Sequence, residues 1–217
     1  MSRLTPRVFW SMGAVVVLLT TGRSADGQAP ADSAAVVKAR ADSARVPYVT
    51  ADVEFMQGMI HHHAQAIEIS RWAATHGASP SVQTLAARII NSQQDEIATM
   101  SQWLRNRHQV VPDTTPGGMS SGMTMGGRPM LMPGMLTDEQ LSQLDAARGP
   151  AFDRLFLTFM IQHHKGAVSM VHDLFESQGA GQDEAVFKFA SDVNVDQTTE
   201  IARMQKMLFA IEVLGAQ

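Results

Sequence analysis

The chain has 217 residues, with 17 Lys+Arg against 21 Asp+Glu, no cysteine and 15 methionines. That length allows one sizeable core or two small ones. The lack of cysteine excludes disulfides, thiolate metal sites, cysteine nucleophiles and a lipid-modified N-terminal cysteine. The charge balance lacks the basic patch that a nucleic-acid binder needs.

Residues 1–27 read as an export signal. Arg3 and Arg7 form a short positive region, and an uncharged stretch runs from Val8 to Gly22 before the chain turns small and polar. This stretch is shorter than the ~20 residues a spanning helix needs. The alternative is an uncleaved anchor or an interfacial helix. Cleavage removes three Arg and one Asp, leaving a more acidic mature chain, secreted or periplasmic. No later segment is apolar enough to span a membrane. Residues 28–48 are alanine-rich and charged, without bulky apolar side chains, and read as a flexible tether.

Order begins near Thr50, a good N-cap, with Asp52 and Glu54 favourable in the first turn. Phe55, Met59, His62, His63, Ala66, Ile69 and Ala73 then recur at helical spacing, and Gly77 stops the helix. Ser79-Pro80 opens a second helix, Ser as cap and Pro at the first helical position. Its inner face carries Ala86, Ile89, Gln93, Glu96, Ile97, Met100, Trp103 and Leu104. It frays near His108.

A crossover follows over 111–136. Six methionines, Met119, Met123, Met125, Met130, Met132 and Met135, sit among Gly, Ser and Pro. That composition predicts no regular helix or strand, and little packing that the helices depend on. Thr137 to Gln140 is a capping box for a short helix, and Gly149-Pro150 ends it. A long helix then runs from Asp153 to about Glu176. Gly179 and Gly181 form a turn, and a last helix spans about Gln182 to Leu214.

The two halves repeat. Asp52, Phe55, Met59, Ile60, His62, His63 and Ala66 match Asp153, Phe156, Met160, Ile161, His163, His164 and Ala167, at an offset of 101. Gln93, Glu96, Ile97, Met100 and Leu104 match Gln197, Glu200, Ile201, Met204 and Leu208, at an offset of 104. A lone helical hairpin cannot bury its apolar stripe. The expectation is an all-α fold: one four-helix-bundle domain over 49–217, built from repeat 1 (49–110), the Met-rich crossover and repeat 2 (137–217).

Each hairpin thus brings Met, His and His to face Gln, Glu and Met. Imidazole is a borderline metal ligand and thioether a soft one, a pairing that suits Cu(I), while His with carboxylate suits Cu(II) or Zn. Met59, His62, His63, Met160, His163 and His164 are the candidate ligands in the bundle. Gln93, Glu96, Met100, Gln197, Glu200 and Met204 would surround and orient them. The six crossover methionines are candidate soft ligands, since their close spacing lets a flexible chain wrap several sulfurs around one ion. The competing readings are a buried His–Glu hydrogen-bond network that fixes helix register, methionines that fill the core, and a crossover that serves as an apolar cover. His76, His108 and His172 are unrepeated and read as surface or local structure. His61, whose counterpart is Gln162, points further outward.

At "GMIHHH", "FMIQHH", "PGMLTDEQL" and "FDRLFLTFMIQHHKGA" the chain resembles the bacterial family known as domain of unknown function 305. The helices "QQDEIATMSQWL" and "QTTEIARMQKML" extend the resemblance, which runs from about Val49 to Leu214. It implies an exported, ferritin-like four-helix bundle, and copper binding, since some members of that family are associated with it. Repeat 1 departs from repeat 2 by His61 and by Gln65 where repeat 2 has Gly166.

The leading expectation is a non-enzymatic protein whose partner is a metal ion. It would take up copper, as Cu(I) and also Cu(II) or Ag(I), for capture, buffering or delivery. A homo-oligomer or a copper-handling protein is a further partner. The fold itself requires no cofactor. One alternative is a ferritin-like redox enzyme. A di-iron bundle uses Glu from two helices plus Glu-x-x-His from two others, and here only Glu96 and Glu200 lie on inner faces, so no catalytic constellation is identified. The other alternative is a metal-free structural or partner-binding bundle.

Overall fold

A computed structural model describes residues 38, 48–114, 124–125, 128–129 and 131–215. The expected export signal, and the tether apart from Lys38 and Tyr48, lie outside the described residues. Tyr48 does not behave as tether. Its ring meets Trp103 edge-on with centroids 5.5 Å apart, and its hydroxyl accepts from Gln109 Nε2 at 3.2 Å.

Four long helices carry the fold: α1 (Thr50–Arg71), α2 (Pro80–Asn106), α4 (Pro150–Glu176) and α5 (Glu184–Leu214). The short α3 (Asp138–Ala146) precedes α4, and a 3-10 turn (Trp72–Ala74) extends α1. The helices α1 and α2 pack as one hairpin and α4 and α5 as the other, and α1 meets α4 between them. No helix among the described residues is long and apolar enough to cross a membrane.

Local chemistry sets most helix starts. Ser79 accepts from Val82 N and is followed by Pro80; Thr137 and Gln140 form the reciprocal box; the Asp183 carboxylate accepts from Ala185 N and Val186 N at 2.9 and 3.1 Å. The start of α1 differs from expectation. Thr50 is its first helical residue and Val49 the cap, and Asp52 closes the end by accepting from Val49 N at 2.9 Å. A valine cap supplies no side-chain oxygen, so the carboxylate one turn on takes over that role.

The same Asp52 also accepts from Gly181 N, 2.7 Å away in the turn of the other hairpin. Its repeat partner Asp153 returns the tie, accepting from Ser79 N at 3.2 Å in the turn of the first hairpin. Both aspartates are buried. The duplicated sequence therefore makes a reciprocal pair of cross-ties, each helix start clasping the opposite turn.

Two apolar clusters fill the interior. One gathers Ala66, Ile69, Leu85, Ile89, Phe152, Phe156, Met160 and Met204; the other gathers Phe55, Met59, Ile60, Met100, Leu104, Ala167, Val171 and Val193. Along every long helix the first cluster lies on one side, and the second on the other, of a short polar stretch. The order of the clusters reverses within each hairpin and between α1 and α4, as antiparallel neighbours require.

The crossover departs from expectation in two places. Thr124–Met125 pairs antiparallel with Arg128–Pro129, where no strand was predicted. Gly126-Gly127, which lies between them in sequence, is a favoured hairpin dipeptide. Its last residues, moreover, do pack on the helices. Leu136 is fully buried in the first cluster, and the backbone just before it lies directly on α4.

Candidate metal centre

The polar stretches on the four helices face one another as a single layer between the apolar clusters. It holds His62 and His63 from α1, Gln93 and Glu96 from α2, His163 and His164 from α4, and Gln197 and Glu200 from α5. All four histidines are fully buried, and Gln93 and Gln197 nearly so. Helical periodicity puts the repeated residues on the inner face, and the two hairpins then bring their copies together.

Each hairpin makes the same internal bond. The Nε2 of His164 donates to Glu200 Oε2 at 2.7 Å, and His63 Nε2 donates to Glu96 Oε2 in the matching geometry. Glu96 also accepts from Ser92 Oγ at 3.2 Å. The other two histidines meet across the pseudo-twofold axis, with the His62 and His163 rings 3.8 Å apart between centroids and inclined by 40°. His62 Nε2 donates to the Pro133 carbonyl at 3.0 Å.

Many polar atoms in the layer remain unpartnered by protein. The Nδ1 atoms of His62, His63 and His164, both ring nitrogens of His163, both amide atoms of Gln93 and Oε1 of Gln197 make no hydrogen bond. Such atoms are rare in native interiors, because each costs about 1–3 kcal/mol. Burial, and after it the neighbouring His63 ring, push the His62 imidazole down to about 3, against the pull of the Pro133 carbonyl. Burial first, then the other three histidines, hold His163 well below its usual range. Both rings are therefore neutral near pH 7, the state in which imidazole ligates a metal.

Methionines border the layer on both sides. Met59 and Met100 belong to one apolar cluster, Met160 and Met204 to the other, and all four are fully buried. Among the described residues no three His, Asp or Glu side chains gather into a group that could hold a metal ion by themselves. A metal in the layer would need sulfur, the amides or a low coordination number. Buried neutral imidazoles and thioethers are donors that suit Cu(I).

Glu96 reaches outward as well. Between α2 and α5 lies a groove of about 440 Å³ walled by Asp95, Glu96, Asp192 and Asp196. Burial, then the charges of Glu96, Asp192 and Glu200, hold the Asp196 carboxyl above its usual range.

Of the crossover methionines, Met119, Met123 and Met130 lie outside the described residues, and for Met125 only the strand pairing is described. Met132 and Met135 are half-buried. The Met132 sulfur lies over Gly58, where a Cβ would come within 3.1 Å of it and 3.4 Å of the Met170 methyl. Thus Met132 packs beside Met170, which sequence reasoning did not single out. His76 proves to be local structure: it is buried, stacks on Trp72, and bonds Asp145 at the end of α3.

The sequence matches the family described as Domain of unknown function (DUF305) over residues 52–208. The chain belongs to this family. A crystal structure of a DUF305 protein from Streptomyces coelicolor, named as secreted, is 28% identical; the match covers 73% of this chain and 91% of that one, with a TM-score of 0.58. CopM in its Cu(II)-bound form is also 28% identical, covering 72% of this chain and 95% of that one, with a TM-score of 0.54. CopM is further known in Cu(I)-bound and Ag-bound forms. A local match to protein L153 of Acanthamoeba polyphaga mimivirus is 41% identical over 56 residues, and the chain spans 37% of that protein's length.

Proposed function

We propose that this DUF305 chain is an exported copper-binding protein that captures Cu(I), and also Cu(II) or Ag(I), and buffers it or passes it on. The observation that carries the reading is the layer of four fully buried histidines with five ring nitrogens left without protein partners. The bland alternative, a satisfied structural network, accounts for two histidine nitrogens through Glu96 and Glu200. Even with the Pro133 carbonyl on His62, it leaves five ring nitrogens without partners, and a bound cation would satisfy those that carry no hydrogen. The metal-bound forms of CopM, similar over most of this chain, add independent support.

In this reading His62, His63, His163 and His164 supply the nitrogen donors, which do not form a complete ligand set by themselves, and Met59 and Met160, nearest in sequence, add soft donors. Glu96 and Glu200 orient His63 and His164, and the groove outside Glu96, where Asp95, Asp192 and Asp196 outnumber Lys188, draws cations toward the layer. The crossover methionines collect soft ions from solvent. The signal at 1–27 directs the domain outside the cytoplasm, and the tether ahead of Tyr48 joins the two.

The metal-free reading has one observation in its favour, that no three His, Asp or Glu side chains cluster among the described residues. Metal analysis of the full chain after anaerobic purification, and after reconstitution with Cu(I), separates the two. The account predicts retained copper after extensive dialysis. Protein that stays copper-free under both conditions would make the structural network the better description.

A further inference from the structure

Three of the four histidines donate a ring hydrogen to a group that can only accept. A backbone carbonyl has no proton to give, so His62 Nε2 carries the hydrogen in its 3.0 Å bond to Pro133 O. The carboxylates of Glu96 and Glu200 impose the same direction on His63 Nε2 and His164 Nε2. In each of these rings the other nitrogen, Nδ1, is buried and has no protein partner.

The Pro133 carbonyl holds its place through a device found in only one hairpin. A Cβ on Gly166 would lie 1.9 Å from Pro133 O, and a Cβ on Gly134 would lie 2.6 Å from Gln162 O and 2.7 Å from Gly166 Cα. Gly134 also has φ +76°, a conformation that favours glycine. On the other side Gln65 grips the same strap twice: it accepts from Leu136 N at 2.8 Å and donates to Leu136 O at 3.1 Å. The crossover backbone is thus clamped against α4 and α1, and its carbonyl is aimed at one histidine.

Resting on the copper reading above, we infer that the ligating atom of His62, His63 and His164 is Nδ1, and that the Pro133 carbonyl, Glu96 and Glu200 are its positioning groups. Orienting acceptors of this kind fix the tautomer of a ligating imidazole and raise its basicity. Hairpin two needs only Glu200 for His164, and hairpin one uses Glu96 for His63. The strap adds a third acceptor, for His62, one of the two histidines that no glutamate reaches. Gly166 is then a residue of the metal site although it touches no metal, because it makes room for the carbonyl.

The test uses the full chain labelled with ¹⁵N-histidine. Long-range ¹H–¹⁵N correlation reads the tautomer of each ring, and Ag(I), which is diamagnetic and redox-silent, serves as the probe. Before metal, His62, His63 and His164 are expected as Nε2–H tautomers. On adding Ag(I), their Nδ1 resonances should move while Nε2 keeps its hydrogen. Movement of Nε2, or an Nδ1–H tautomer before metal, overturns the inference. Metal-free tautomers as expected with no ring nitrogen responding to Ag(I) overturns the copper reading of the layer, and the ligating role with it.

Two variants sharpen the result. Gly166→Ala should release His62 from its single tautomer, leave His63 and His164 fixed, and lower Ag(I) affinity about tenfold or more. Glu200→Gln, which keeps an acceptor oxygen, should preserve the His164 tautomer, whereas Glu200→Leu should lose it. Helix content by circular dichroism confirms that each variant is folded. An unchanged His62 tautomer in folded Gly166→Ala, or equal behaviour of the two Glu200 variants, refutes the positioning role.

Discussion

The two hairpins agree where they face each other and differ where the crossover lands. Asp52 and Asp153 make reciprocal ties, Glu96 and Glu200 hold equivalent histidines, and His62 and His163 meet across the axis. Among the positions where the repeats differ are three pairs: Gly58 with Phe159, His61 with Gln162, and Gln65 with Gly166. At least one member of each pair touches the end of the crossover or the residue packed on it. Gly58 lies under Met132, Gln162 Nε2 donates to the Gly134 carbonyl at 3.3 Å, and Gln65 and Gly166 clamp the strap. A duplicated frame has two equivalent faces but only one connecting segment, so the positions that receive it had to diverge.

Imposing one repeat's residue on the other breaks this division most severely at Gly166. Gly166→Gln drives a side chain into the Pro133 carbonyl and should destabilise the protein by about 3 kcal/mol, at the upper end of what overpacking costs. Thermal or urea unfolding measures it. The reciprocal change, Gln65→Gly, removes both bonds to Leu136 and adds a glycine to a helix interior. It should cost about 2–3 kcal/mol. Equal and negligible effects of the two changes would mean that the strap is not what separates the hairpins.

Acid should strike the shared layer in both hairpins alike. The folded-state pKa of His62 and that of His163 are depressed, so below about 6.5 the unfolded chain binds protons that the native chain refuses. Their contribution is complete above about pH 6.5 and is lost as pH falls, for His62 down to about 3. Each adds a slope of up to about 1.4 kcal/mol per pH unit. Urea unfolding of metal-free protein between pH 7 and 5 reads the slope, and the double variant His62→Gln, His163→Gln should flatten it.

The smallest structural effect belongs to the part of the crossover before the strap. Changing Met119, Met123, Met125 and Met130 together to Ser should leave helix content and unfolding midpoint nearly unchanged, since the loop keeps its length and so its closure entropy. Cu(I) capacity should still fall, because hydroxyl is a harder donor than thioether. A loss of folding would assign these methionines to packing.

Much of the bundle was legible in the sequence because its rules are local or periodic. The 3.6-residue spacing of apolar positions, Ser79-Pro80, the Thr137–Gln140 box and the glycines at 179 and 181 all mark helices and turns by nearest-neighbour chemistry. The repeat then placed His62, His63, His163 and His164 on facing surfaces, and Glu96 and Glu200 beside them. The strap was not legible. Gly, Pro and Met in a linker look like loop, and Pro133 to Leu136 act through backbone groups that leave no pattern. The one available sign was the mismatch of Gln65 with Gly166, which marks where something outside the repeat must fit. The Asp52 and Asp153 ties were hidden for a related reason: an acidic residue in a first turn already has a local explanation, and nothing in it points to a partner 129 residues away.

The central claim, that the buried histidine layer holds copper, is tested most directly by anaerobic Cu(I) competition against a chelator of known affinity. The full chain is compared with a variant carrying His62→Ala, His63→Ala, His163→Ala and His164→Ala, under conditions where circular dichroism shows both to be folded. The account predicts that the variant loses its tightest Cu(I) site while retaining weaker binding from the crossover methionines. Unchanged affinity and stoichiometry in the folded variant would contradict it, and would leave the layer as a structural network that sets helix register.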